Sequence, residues 1–142
     1  MLNDVEMLNT ICKSAKMGCK GIEEVMEYTK TEKFRKALET QKKEYEVIYK
    51  EGEKLLLERK ENVEDLPTMA KVSSNIMTMI KTMQDKSEEH LAEMMYQGSA
   101  MGVTKAIRNQ KEYGGTNPKI CDLASKLLKT EENNMDQMRK FL

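Results

Sequence analysis

The chain has 142 residues, of which 24 are basic and 24 acidic, so its formal net charge is zero. A chain without excess positive charge lacks the field that attracts nucleic acid or an anionic membrane, and we expect neither as a partner. No apolar stretch is long enough to span a bilayer and no basic run precedes the first apolar residues, so we expect a cytoplasmic protein without a signal peptide. The abundance of Glu, Lys, Leu and Met predicts one all-helical domain over residues 1–142.

The first predicted helix covers about residues 4–30 and carries an apolar seam with alternating spacings of three and four residues. The seam consists of Val5, Leu8, Cys12, Ala15, Cys19, Ile22 and Met26. Cys12 and Cys19 are roughly 10 Å apart along this helix, beyond the reach of a disulfide, so we expect reduced, buried thiols. Gly18 and Gly21 lower helix propensity, and they predict the close approach of a neighbouring helix.

The second predicted helix covers about residues 32–60, is capped by Thr31 and lies antiparallel to the first because the connection is short. Its seam consists of Phe34, Leu38, Gln41, Tyr45, Ile48, Gly52 and Leu55. Gln41 is the polar member of this seam. A buried glutamine more often bonds to a neighbouring helix or a water than to a ligand, so we assign Gln41 to a polar layer in the core.

A third and a fourth helix are predicted at about residues 68–85 and 87–113, after an acidic connector at 61–66. Pro67 suits the first turn of the third helix, and Ser87 suits the cap of the fourth. The apolar stripe of the third helix consists of Val72, Ile76, Met79 or Ile80, and Met83. One unbroken helix across both segments would be about 68 Å long, so we expect a break between them, with a single kinked helix as the alternative.

Residues 94–104 contain no charge in an otherwise heavily charged chain. A segment without a solvated face is normally surrounded by other elements, so we expect this run to be the most enclosed part of the fourth helix. Gly98 and Gly102 predict that a neighbouring helix approaches it closely. The chain has 13 methionines. They indicate flexible core packing or an adaptable partner surface rather than a Cu(I) site, because Met77 and Met79 face opposite sides of a helix.

The last helix is predicted at about residues 119–142, after a turn at 113–118 in which Gly114 is expected to be a left-handed C-cap. Its seam consists of Ile120, Ala124, Leu127, Glu131, Asn134, Met138 and Phe141. Four long helices with a long middle connection that contains an extra helix predict a ferritin-like four-helix bundle. A simple up-and-down bundle with a kinked third helix is the alternative.

A di-iron site in a bundle of this kind needs a Glu-x-x-His motif on each of two helices. The chain has one histidine, and the last helix has Asn134 where such a motif would place the second, so a complete di-iron centre is not expected. His90, Glu93 and Glu131 remain as candidates for a single degenerate iron or copper site.

The alternative interpretation, which we favour, is that Gln41, Gln97 and Asn134 form a buried polar layer together with Glu131. No nucleophile, base and orienting group can be assembled from one histidine near a helix start and cysteines on apolar seams. We therefore expect no enzymatic activity and no cofactor.

Three short segments resemble a family of small, uncharacterised bacterial ferritin-like helical-bundle proteins without an assigned function. They read HLAEMM at 90–95, QGSAMG at 97–102 and LKTEEN at 128–133, and the resemblance covers nearly the whole chain. It implies a ferritin-like four-helix bundle but no activity. The expected function is a non-enzymatic one, through a homodimer or a protein partner, and the alternative is a metal-handling protein that binds iron or copper.

Overall fold

The computed structural model describes residues 1–64 and 67–142, and it does not describe the side chains of residues 67–70, 72 and 73. Across the described residues the fold is all-helical, as predicted, and has five helices. They are α1 (Asp4–Met26), α2 (Glu32–Glu58), α3 (Pro67–Thr82), α4 (Glu88–Glu112) and α5 (Pro118–Arg139). Each predicted helix corresponds to one of these. Val72 of the predicted stripe, and the last two residues of the acidic connector, lie outside the described residues.

Side-chain caps set where the long helices begin. The Asn3 side chain accepts a hydrogen bond from the Glu6 backbone N–H, and the Glu6 carboxylate accepts one from the Asn3 N–H, which forms a capping box. Thr31 and Ser87 accept from the backbone N–H three residues later, at the starts of α2 and α4. Asn117 does the same before α5, so the polar residue that precedes each apolar seam satisfies N–H groups that have no partner within the helix.

A left-handed residue follows α2, but none follows α4. At the end of α2, Lys60 donates to the Leu57 carbonyl and Glu61 to the Leu56 carbonyl, both at 2.9 Å, and Lys60 has a left-handed φ of 58°. Glycine is the usual residue at that position. The prediction of a left-handed Gly114 C-cap for α4 is wrong, because no glycine of the described residues has a positive φ. The Gly114 N–H donates instead to the carbonyl of Leu2, in the N-terminal segment, at 2.8 Å.

Contacts at the two ends of the bundle fix the directions of the helices. At one end the Asp4 carboxylate accepts a hydrogen bond from the Tyr113 hydroxyl at 2.6 Å and pairs with Arg59 at 3.3 Å, which joins the start of α1 to the ends of α2 and α4. At the other end the rings of Phe34 and Phe141 lie 5.0 Å apart, so the start of α2 meets the end of α5. We call these the Asp4 end and the Phe34 end.

The directions show that α2 and α4 both run from the Phe34 end to the Asp4 end. The Thr31 N–H and hydroxyl both donate to the Glu88 carboxylate, at 2.8 and 2.7 Å, which places the starts of the two helices together. The segment between them therefore returns along the bundle, and α3 forms part of it. Residues 83–87 are not helical, so α3 and α4 are separate helices rather than one kinked helix. Ile80 is buried and anchors α3, whereas Met79 is 50% exposed.

The helices surround one apolar core. α1 packs on α2, α2 on α5, α5 on α4 and α4 on α1, and α3 packs on α1. The largest fully buried side chains are Phe34, Met7, Leu8, Ile11, Ile22, Leu38, Ile48, Leu56, Ile80, Leu91, Ile120 and Met138. A Cβ on Gly18 would lie 2.5 Å from the Tyr45 ring, so the expected close approach occurs there. It does not occur at Gly21, where nothing lies within 4 Å because that side of α1 faces outward.

Candidate functional site: a buried carboxyl cluster and an exposed helix face

Glu131 on α5 is a carboxyl group enclosed by three helices. Its side chain is 5% exposed, and one carboxylate oxygen accepts a hydrogen bond from the Tyr45 hydroxyl of α2 at 2.7 Å. α4 approaches from the other side at Gly102, where a Cβ would lie 2.6 Å from the Glu131 carboxyl carbon. Gly102 is therefore the residue that makes room for the carboxyl group, and the close approach predicted for it is to a side chain.

Two further polar side chains line the same region. Ser99 of α4 and Asn134 of α5 are 5% and 2% exposed, and both lie beside the Tyr45 phenol, where they oppose the rise of its pKa. The Asn134 amide nitrogen is buried and makes no hydrogen bond of good geometry among the described residues. We call Tyr45, Ser99, Glu131 and Asn134 the carboxyl cluster.

The enclosure changes the acid–base behaviour of the cluster. Burial raises the pKa of Glu131 to about 7, and the hydrogen bond from Tyr45 opposes that rise. Burial, followed by the charge of Glu131, raises the pKa of Tyr45 well above its ordinary value. At neutral pH the Glu131 carboxyl is thus divided between its protonated and ionised forms, while Tyr45 stays protonated and donates.

Two surface concavities of the described residues do not reach this carboxyl group. One surface concavity is lined by residues that include Cys12 and Tyr49, and another by residues that include Leu2 and Arg59; neither includes Glu131. A group with a pKa near 7 is suited to exchange protons, but a substrate would need a route to it. Burial and the raised pKa make this a carboxyl group whose ionisation responds to pH near neutrality.

The residues assigned to a polar layer lie in different places. Gln41 is 1% exposed and donates to the Gln137 side-chain oxygen of α5 at 2.8 Å. Asn134 is in the core as described above. Gln97 is exposed and does not belong to such a layer, because it lies on the outer side of α4; Ser99, two residues further, occupies the inner position. Two residues further along a helix, the side chain is rotated by about 200° about the helix axis and therefore points to the opposite side.

The three metal-ligand candidates are not brought together. His90 Nδ1 lies 3.7 Å from a carboxylate oxygen of Glu93, and both side chains are partly exposed in the first turns of α4. Glu131 instead faces Gly102, which is roughly 13 Å further along α4 than Glu93 by helical rise. Within residues 1–64 and 67–142, no group of three or more His, Cys, Asp or Glu side chains is placed to hold a metal ion.

The thiols of Cys12 and Cys19 have low reactivity because their pKa values are raised. Burial raises the pKa of Cys12 to about 12 and that of Cys19 to about 11, with nearby glutamates adding to both shifts. Both thiols stay protonated at neutral pH, and a thiol is a poor nucleophile and a poor metal ligand. All three cysteines are free, as expected, but Cys19 is only half-buried and Cys121 is exposed.

The charge-free run of α4 has one buried residue, Ser99, and four exposed ones, whereas Leu91 and Ala92 are both buried just before it. The prediction that residues 94–104 are the most enclosed part of the helix is therefore wrong. Met101 is 74% exposed, and nothing lies within 4 Å of a Cβ placed on Gly98. The physical reason is that α4 packs chiefly against α5 and α1, so the side that points away from them is solvated. We call that side the uncharged face: it consists of the exposed Gln97, Gly98, Met101 and Thr104, with the partly buried Met94 at its edge.

Among the described residues, the fold and these two features define an all-helical protein with a buried, ionisable carboxyl group and an uncharged exposed face on α4. No described helix is long and apolar enough to cross a membrane. No protein-family model, no curated protein and no solved structure matches the chain. Its residues and their geometry must therefore carry any conclusion about function.

Proposed function

We propose that this chain is a non-enzymatic, cytoplasmic, ferritin-like helical-bundle protein that acts by self-association or by contact with another protein. The observation that carries the proposal is the uncharged face of α4. Charged residues make up 34% of the chain. A surface without charge in such a chain costs solubility unless a partner covers it, and depletion of charge is the compositional signal of an interface core.

The side chains of the uncharged face suit a contact with protein. The exposed Met101 is unbranched and polarisable, so its side chain adapts to the shape of a partner. Gly98 has open space beside it, which permits a second backbone to come close. Gln97 and Thr104 offer hydrogen bonds at the edges without the cost of removing a charge from water.

The direction of the helices supports the ferritin-like part of the proposal. α2 and α4 run the same way, and the segment between them returns along the bundle through α3, as in bundles with one long crossover. The resemblance of the segments at 90–95, 97–102 and 128–133 agrees with this. The burial of Glu131 and the protonated state of Cys12 and Cys19 agree with a non-enzymatic role.

Sedimentation of the purified protein at increasing concentration tests the proposal. We expect association between about 5 and 500 µM, the range that suits an interface of modest area. Met101→Glu should weaken it, because the variant places a charge at the centre of the uncharged face. Val47→Glu is the matched control, since Val47 is 50% exposed on α2. A strict monomer over the whole range, or equal effects of the two substitutions, would contradict self-association through this face.

A further inference from the structure

We infer that the partner of the uncharged face is a second copy of this chain, with the two α4 helices antiparallel about a two-fold axis near Met101. This inference rests on the proposed function and names the partner and its register. The additional observation is the distribution of charge at the two ends of the face. A two-fold contact requires a surface that is complementary to itself, and α4 has that property.

The exposed charges of α4 are segregated along the helix. Glu89 and Glu93 precede the uncharged face, and Arg108 and Lys111 follow it, all four with exposed side chains. His90 lies beside Glu93, and the exposed Glu112 follows Lys111 as an acidic exception. A parallel pair of α4 helices would place acid against acid and base against base. An antiparallel pair places the acidic start of each helix against the basic end of the other, which selects that orientation.

The spacing of the charges sets the register. Glu93 lies eight residues before Met101, roughly 12 Å by helical rise, and Arg108 lies seven residues after it, roughly 10 Å. A two-fold axis at Met101 therefore brings Glu93 of one copy alongside Arg108 of the other. Glu89 and Lys111 lie roughly 18 and 15 Å from the same axis, so they form a second pair within the reach of their long side chains.

The centre of the pair suits close packing between backbones. Gly98 lies one turn from Met101, with nothing within 4 Å of its Cβ position, so a second helix can approach there without displacing a side chain. α4 has 25 residues, which gives a length of about 37 Å, and a helix is about 10 to 12 Å wide. One side of the whole helix, with the uncharged face at its centre and the charges at its ends, thus offers on the order of 400 Å² per copy. That is about half of a standard interface, so the dimer should be weak and sensitive to salt.

Charge reversal at Glu93 and Arg108 tests this register. Glu93→Arg places arginine against Arg108 at both ends of the pair, and Arg108→Glu places glutamate against Glu93. At low salt we expect each variant alone to associate at least tenfold more weakly than the unaltered protein. An equal mixture of the two should associate again, because each mixed pair restores two arginine–glutamate contacts. Circular dichroism checks that both variants stay helical.

The outcomes separate this inference from the proposed function. If Met101→Glu abolishes association but the charge-reversed variants associate normally alone and gain nothing when mixed, the face is the interface and the antiparallel register is wrong. If the unaltered protein is a strict monomer, both the inference and self-association fail. Recovery in the mixture supports the antiparallel pair, because a contact with any other surface would not respond to the two substitutions reciprocally.

Cross-linking provides a second test that does not depend on charge. A cysteine at position 101 (Met101→Cys), in a Cys121→Ser background, should form a disulfide between two copies under mild oxidation, because residues at a two-fold axis approach within disulfide range. Val47→Cys in the same background is the control. Equal cross-linking of the two variants would overturn the inference.

Discussion

Glu131→Gln should remove a pH dependence of stability that the buried carboxyl group imposes on the protein. The substitution keeps the shape of the side chain and an oxygen that accepts the hydrogen bond from Tyr45, but it cannot ionise. It therefore resembles the protonated carboxyl at every pH. The two proteins should have similar free energies of unfolding in mild acid and should diverge as the pH rises, with the variant becoming the more stable.

The magnitude follows from the shift in pKa. The ordinary carboxyl value is 4.5 and the folded value is about 7. Because the folded pKa is raised, the stability that Glu131 contributes is fully present below about pH 4.5 and is lost as the pH rises through about 7. Each pKa unit corresponds to about 1.4 kcal/mol, so the loss approaches about 3 kcal/mol by pH 8. That is a large fraction of the stability of a small domain.

Urea denaturation at several values between about pH 5 and pH 8 measures this difference. Tyr45, Cys12 and Cys19 have raised pKa values and do not titrate in that range. Glu132→Gln is the matched control, since Glu132 is the next residue of α5 and is exposed. It should leave the change between pH 5 and pH 8 as in the unaltered protein.

Tyr45→Phe sharpens the experiment, because it removes the hydrogen bond that holds the pKa of Glu131 down. In this variant the loss of stability should still begin near pH 4.5 but should continue to higher pH, and its total should therefore be larger. The reasoning would be refuted if the unaltered protein and Glu131→Gln lost the same free energy between pH 5 and pH 8. Such a result would mean that the carboxyl group is solvated in the folded protein, which would contradict its burial beside Gly102.

Lys60→Gly should raise the free energy of unfolding by about 1 kcal/mol, because Lys60 holds a left-handed conformation at the end of α2; thermal unfolding measures this. Gly18→Ala should lower the free energy of unfolding by about 1 to 3 kcal/mol, because the added methyl group would collide with the Tyr45 ring. Gly21→Ala should raise it by up to about 1 kcal/mol, because the methyl group has open space and alanine favours the helix. The reversed order in urea denaturation would contradict the packing of α1 on α2. Stoichiometric Fe(II) or Cu(I) should not raise the melting temperature; a rise that His90→Ala abolishes would support the degenerate metal site instead.

Local signals in the sequence predicted the helices well. Asn3, Thr31 and Ser87 cap helices because a short polar side chain before an apolar seam satisfies free N–H groups whatever the rest of the chain does. The surroundings of residues 94–104 could not be predicted in the same way. A segment without charge can be buried at little cost, but its sequence does not show which helix, if any, packs against it. Gly114 failed as a C-cap for a related reason, since its partner, Leu2, is distant in sequence.

The candidate site was predicted in part. The predicted inner seam of the last helix includes Glu131 because Leu127 before it and Met138 beyond Asn134 are apolar at seam spacing. The pairing of Glu131 with Tyr45 needed the register between α2 and α5, which depends on how two helices with similar seams slide against each other. Gln97 and Ser99 are both compatible with a core position by composition, and the rotation of α4 about its axis decides between them.

The contacts at the two ends of the bundle also determine how two copies could be joined in one polypeptide. Gly114 is hydrogen-bonded to Leu2 at the Asp4 end, and Phe141 packs against Phe34 at the other end, about 33 Å away along the 22 residues of α5. In an antiparallel pair, the last residue of one copy and the first residue of the other lie at the same end. A short flexible linker could therefore join them, and the tethered pair would have the effective concentration needed to populate a contact that is weak between separate chains.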